Sequence, residues 1–135
     1  MKLPCEVAVK SVVPAVRALL AKELIETYGM KQTEAANLLG ITQTAVSKYI
    51  HNVRGNLLQI EKEKAVRVQI KETAASLVSG NKDRMALILD LCDTCRLARK
   101  KRLMCELCQR ASPILNLAHC RLCDFSSSSD PRKRR

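Results

Sequence analysis

Gln32-Thr-Glu-Ala-Ala-Asn-Leu-Leu-Gly40-Ile-Thr-Gln-Thr-Ala-Val46-Ser-Lys-Tyr-Ile50 is the stretch on which the reading of the chain turns. It predicts two short helices, about Gln32 to Leu39 and Gln43 to His51, the first stopped by Gly40 and the second capped by Thr42. Helices that cross steeply must approach closely. That requirement favours the small Ala36 at their contact and Gly40 in the turn, where a left-handed backbone is expected. Ala35, Leu39, Ile41, Val46 and Ile50 supply the buried side of the pair.

This leaves Gln43, Thr44, Ser47 and Lys48 on the exposed N-terminal half of the second helix, the part of a recognition helix that meets base edges. A glutamine amide matches the adenine edge, a lysine the guanine acceptors, and Thr or Ser serves either base or phosphate. Lys31, Gln32, Thr42, His51 and Arg54 lie at helix ends and loops suited to phosphate contact.

The pattern resembles the helix-turn-helix of the lambda-repressor-like, or XRE, family of transcription regulators, over roughly Leu19 to Leu77. The resemblance is carried by Gln32, Ala36, Gly40, Ile41, Gln43 and Val46. More narrowly, the opening Leu-Pro-Cys-Glu, the Ala-Val-Ser-Lys-Tyr-Ile run and the cysteine-rich end resemble a group of small archaeal regulators of that class. The chain departs from the motif at Lys31, where a capping Ser or Thr is common. The resemblance implies sequence-specific DNA binding by a transcription regulator.

Working outward, Val16, Leu19, Leu20, Leu24 and Ile25 recur at helical spacing after Pro14 and stop at Gly29, which predicts a first helix. Met1 to Val13 mixes valines with Pro4 and reads as an arm. A long helix is expected over Leu57 to Val78, where Leu57, Leu58, Ile60, Val66, Val68, Ile70, Leu77 and Val78 spread around most of the circumference. Such a helix packs on two sides, the second being a possible subunit contact. Ser79 to Lys82 breaks the chain, and Asp83 is placed to cap a further helix running into the cysteines. The expected fold is all-α, a helix-turn-helix bundle over 1–80, a small helical cysteine-rich metal or iron-sulfur module over 81–125 and a basic tail over 126–135.

The 135 residues leave room for one small core but no large substrate cleft. Twenty-four Lys and Arg against 13 Asp and Glu give a net charge of +11, which suits a polyanionic partner. Aromatic residues are Tyr28, Tyr49 and Phe125 alone, which counts against platforms that stack single-stranded bases and leaves duplex DNA as the better polyanion. No apolar run approaches the ~18 to 20 residues of a membrane span and no signal-peptide core is evident, so a cytoplasmic location without membrane contact is expected.

Six of the seven cysteines form three Cys-x-x-Cys pairs, Cys92/Cys95, Cys105/Cys108 and Cys120/Cys123. In a helix or a tight knuckle this spacing brings two thiolates to one side, so metal or redox chemistry is expected. The apolar surroundings (Leu91, Leu97, Leu103, Met104, Leu107, Leu117, Leu122) suit a shielded [4Fe-4S] cluster. The nine residues between Cys95 and Cys105 suit a zinc ribbon, which is the alternative. Six ligands exceed what one ion or cluster needs, and spacing alone does not choose among them. Cys5 reads as a small buried hydrophobe, with approach to the pairs through the fold as the alternative, and His119 as solvent-facing or hydrogen-bonded, with metal ligation as the alternative. Arg96, Arg99, Lys100, Lys101 and Arg102 read as a solvated face, with phosphate contact and stabilisation of nearby thiolates as the functional alternatives. Arg132 to Arg135 read as a solubilising or DNA-contacting tail.

The expected function is a homodimeric DNA-binding regulator controlled by a redox- or iron-sensing cluster, with no small-molecule substrate. The alternatives are a regulator with structural zinc and a zinc-stabilised assembly factor. An enzymatic role finds little support, since no Gly-rich phosphate loop and no Ser/His/acid grouping is present and only thiol-disulfide exchange would be chemically available.

Overall fold

In the computed structural model, which describes residues 2–52, 59–81, 83–114, 116 and 118–123, regular structure is entirely helical among the described residues. The helices are α1 (Pro4–Lys10), α2 (Val12–Glu26), α3 (Gln32–Leu39), α4 (Gln43–Ile50), α5 (Lys64–Val78), α6 (Arg84–Lys100) and α7 (Cys105–Ala111), with a 3₁₀ turn at Ile60–Lys62 before α5. None of the described helices is long and apolar enough to cross a membrane.

Helix α2 is the hub. Val12, Ala15, Val16, Ala18, Leu20, Ala21 and Leu24 are all buried, too many for one stripe, because α1, α3, α4, α5 and α6 surround it. The core cluster is continuous from Val7 in α1 to Cys108 in α7.

Three expectations about the scaffold are corrected. The stretch read as an arm contains α1, which begins with Pro4 in its first turn, where the missing N–H costs nothing. The Glu6 carboxylate accepts the Leu3 N–H at 2.7 Å. Val7 and Ala8 are buried, and the Ser11 hydroxyl donates to the Val7 carbonyl at 2.7 Å where α1 turns into α2.

The helix expected over Leu57 to Val78 is shorter. Leu57 and Leu58 lie outside the described residues, Ile60 is fully buried in the 3₁₀ turn, and Glu63 is extended, so α5 begins only at Lys64. Its two packed sides are met within the chain. Val66, Ile70, Thr73, Ala74 and Leu77 face inward, and both α2 and α6 pack on the helix. The third correction concerns Cys5, which is exposed rather than buried.

The local signals around α3, α4 and α6 match the geometry. Gly40 adopts φ +67° at the end of α3, and the Thr42 hydroxyl accepts the Ala45 N–H at 3.1 Å at the start of α4. The Asp83 carboxylate accepts the Ala86 N–H at 2.8 Å and starts α6. Lys31 precedes α3 without a side-chain cap, as its chemistry dictates.

Candidate functional site

Helix α4 separates its residues cleanly. Val46 and Tyr49 are buried and Ile50 packs against the core, while Gln43 and Thr44 are exposed and Ser47 and Lys48 are half-buried. Steps of three and four residues align Gln43, Thr44, Ser47, Lys48 and His51 as one polar stripe. At its far end the His51 Nδ1 lies 2.8 Å from the Ser47 carbonyl, which makes that nitrogen the N–H donor and fixes the ring along the helix. The Lys22 ammonium, from α2, donates to the Asn52 side-chain oxygen at 2.7 Å and anchors the end of α4. Lys31 is exposed and Gln32 half-buried at the head of α3, and Thr42 is exposed but already used as the α4 cap. Arg54 lies outside the described residues, as does the basic tail.

The turn between α3 and α4 has a neighbour that the sequence did not reveal. The Arg84 guanidinium, at the start of α6, lies against Gly40, so that a Cβ placed there would stand 3.6 Å from its Cζ. From that end α6 runs directly to Cys92, Cys95 and Arg99.

The seven thiols fall into two neighbourhoods. Cys92 and Cys95 occupy α6, and Arg99 follows Cys95 by four residues and Cys92 by seven, which puts all three on one helix face. Cys5 is brought to the same place by α1, its sulfur accepting from Arg99 Nη1 at 3.7 Å. Burial pushes the Cys95 thiol above the ordinary thiol value. Arg99 pulls it down, and Cys92 and Cys5 add to the rise.

The second neighbourhood joins Cys105 and Cys108 of α7 to Cys120 and Cys123. Burial raises both the Cys105 and the Cys108 thiol. For Cys105, Arg102 opposes the rise while Cys123 and Cys120 add to it; for Cys108, Cys123, Cys105 and Cys120 all add. Arg102, at a left-handed φ of 62°, donates to the Cys120 carbonyl at 3.0 Å and so draws the later pair back over α7. His119 is exposed, as expected.

Arg99 stands between the two groups. It is buried, and hydrogen bonds to Cys123 and Cys5 favour its charged form against the burial that opposes it. The basic run is therefore not uniform: Lys100, Lys101 and Arg102 face solvent, whereas Arg99 is part of the sulfur-lined interior. Its place was legible in principle from its helical spacing to Cys92 and Cys95. The approach of Cys5 was not, since 94 residues separate it from Arg99. Among the described residues no three His, Cys, Asp or Glu side chains meet closely enough to hold one ion between them.

A cavity of about 370 Å³ opens between α2 and α6 beside Cys92 and Cys95. Val13, Val16, Ile88 and Leu91 form its aliphatic wall, and Arg17, Arg96 and Arg99 supply its charge. Compared with known protein families, with curated proteins and with solved structures, the chain matches none of them.

Proposed function

We propose that the protein is a sequence-specific DNA-binding transcription regulator of the helix-turn-helix class, with α4 as the recognition helix. The observation that carries this reading is the polar stripe of α4: Gln43, Thr44, Ser47 and Lys48 project from a helix anchored by Val46 and Tyr49, on a chain of net charge +11. The stripe offers a base-reading amide, hydroxyls and the Lys48 ammonium, and Lys31, at the head of α3, adds a cation suited to phosphate. The protein acts on double-stranded DNA as a homodimer, since one such helix covers only half a symmetric site.

Control comes from the cysteine-rich end, which binds an iron-sulfur cluster or zinc through thiols drawn from the three Cys-x-x-Cys pairs. The support is chemical and architectural. The thiols are gathered rather than scattered, buried Arg99 supplies positive charge to thiolates, and α6 connects this region to the α3–α4 turn. A change in the metal state shifts the balance between DNA-competent and incompetent arrangements by moving α6.

Selection of binding sequences from a random duplex pool, followed by titration of the selected site, tests the reading. The wild type should enrich one two-fold symmetric sequence, and a folded Gln43→Ala, Lys48→Ala variant should lose the preference for it. Failure to enrich any sequence, or an unchanged preference in the variant, would overturn it and favour a protein-assembly role for the helical pair.

A further inference from the structure

We propose that the cavity between α2 and α6 is a binding site for a small amphiphilic organic anion, a free carboxylate carried on an aliphatic chain. Such a site depends on neither the DNA-binding nor the metal-binding reading.

Helix periodicity sets its shape. The α6 residues on the wall are Ile88, Leu91, Cys92, Cys95, Arg96 and Arg99, spaced by alternating steps of three and one, which is a single stripe of a helix. At about 1.5 Å per residue the stripe is about 16 Å long. Its chemistry is ordered along that length: aliphatic side chains first, then thiols, then guanidiniums. From α2, Val13 and Val16 add to the aliphatic wall and Arg17 adds a third guanidinium. A ligand lying along the stripe needs an apolar body and an anionic end.

Burial separates the roles of the wall. Val16 is buried and Leu91 half-buried, whereas Ile88 is 54% exposed. A lone exposed isoleucine means little, but this one continues the wall of a cavity and is covered when the cavity fills. Arg99 is buried, with Cys5 accepting from its Nη1 at 3.7 Å, so positive charge is fixed at that end of the stripe. Arg96 is half-buried and stands 3.8 Å from Asp93, farther than a hydrogen bond, and Arg17 is exposed.

Charge then selects the occupant. The chain is basic throughout, yet the cavities between α5 and α6, between α1 and α7 and between α2 and α5 all set glutamates among their cations, Glu63 and Glu72 in the first, Glu6 in the second and Glu23, Glu26 and Glu61 in the third. The cavity between α2 and α6 has three guanidiniums and no acid among its lining residues. A second copy of the chain packed on this face about a two-fold axis sets Arg17 and Arg96 against the same cations of its partner, which is unfavourable. A carboxylate instead accepts paired N–H bonds from a guanidinium. The volume of about 370 Å³ lies within the roughly 300–1,000 Å³ of small-molecule pockets, and its partly open form leaves the anionic end in reach of Arg17.

Calorimetric titration of the full-length protein with decanoate below its micellar concentration, beside decanol, acetate and decyltrimethylammonium, tests the assignment. Decanoate should bind one per chain and at least about tenfold more tightly than each of the others, the factor supplied by one charge-assisted hydrogen bond or a few buried methylenes. An Arg17→Gln, Arg96→Gln variant should bind decanoate no better than decanol, and Ile88→Asn should weaken both. The proposal is overturned if decanol or decyltrimethylammonium binds as tightly as decanoate, or if the arginine variant binds decanoate as the wild type does. Binding to vesicles of anionic phospholipid without binding of free decanoate overturns it as well.

Photolabelling of the unaltered chain with a diazirine-bearing decanoate covers the case of a variant that does not fold. The label should fall on residues 13–17 and 88–96 and be displaced by decanoate but not by decyltrimethylammonium. Label spread over unrelated helices, or a face closed to the label by a second copy of the chain, would rule the site out.

Discussion

The Arg84 side chain rests on Gly40, joining the first residue of α6 to the tight turn between α3 and α4. Gly40 sits at φ +67°, and a Cβ there would meet Arg84 at 3.6 Å, an ordinary contact. The cost of a side chain at this position is therefore one of backbone conformation rather than of space. Gly40→Ala should destabilise the fold by about 1–2 kcal/mol, as expected for an L-residue in the left-handed region, and Gly40→Asn by less. Chemical denaturation measures both, and an Ala variant as stable as the wild type would contradict the account.

Because Arg84 is exposed, its replacement should leave stability within about 0.5 kcal/mol of the wild type. Its position between the turn and the helix that bears Cys92 and Cys95 gives a more specific expectation under the proposed function. Arg84→Ala should reduce the difference in DNA affinity between metal-loaded and metal-free protein, measured by fluorescence anisotropy in the two forms. A difference equal to that of the wild type would remove Arg84 from the coupling.

Under the proposed DNA-binding function, the stripe on α4 and the lysine before α3 should fail in different ways. Gln43→Ala should cost about 1–3 kcal/mol at the selected site and relax preference at one base position. Lys31→Ala should weaken binding to all duplexes similarly and lower the slope of log K against log salt by about one. Titrations at several salt concentrations separate the two, and a sequence-dependent effect at Lys31 would count against its role as a phosphate contact.

The thiols of Cys95, Cys105 and Cys108 lie above the ordinary thiol range, burial being the largest cause at each. An acid whose pKa is higher folded than unfolded holds its proton more firmly when folded, so stability falls as pH rises between the two values. In reduced, metal-free protein this contribution is complete below a pH of about 8.5 and is lost progressively above it. The melting temperature should drop across that range, and the drop should be shallower in Cys108→Ala. A profile that is flat, or that rises, would show that these thiols do not enter the folding equilibrium as protonated groups.

Ser112 ties the start of the chain to the end of α7 through its two hydrogen bonds with Lys2. Ser112→Ala should remove about 1–2 kcal/mol from the local stability of α1, one ordinary hydrogen bond or two weakened ones. Hydrogen exchange should show faster exchange at Val7 and Ala8, with little change in α5. Leu24→Ala, in the fully buried centre of α2, should instead cost about 2–5 kcal/mol and loosen the whole fold.

Where the determinants are local, the sequence by itself was sufficient. The left-handed Gly40, the caps at Thr42 and Asp83, and the spacing of apolar residues in α2, α3 and α4 act within a turn or two of chain, so reading neighbours is enough. The three Cys-x-x-Cys pairs were equally plain, because two thiols three residues apart need no tertiary help to share a side.

Tertiary structure decided what depends on partners distant in sequence. Helix α1 is only seven residues long, and its stability comes from burying Val7 and Ala8 against the rest of the fold, which no pattern within Met1 to Val13 announces. The late start of α5 follows from the burial of Ile60 in a 3₁₀ turn, and no Gly or Pro marks that break. The grouping of the thiols was decided in the same way. Spacing paired them, but only the packing of α1 beside α6 and the return of the 120–123 segment over α7 set Cys5 with Cys92 and Cys95, and Cys120 and Cys123 with Cys105 and Cys108. The physical reason is that hydrogen bonds within a turn are fixed by adjacent residues, whereas the neighbours of a packed side chain are fixed by the burial of the whole core.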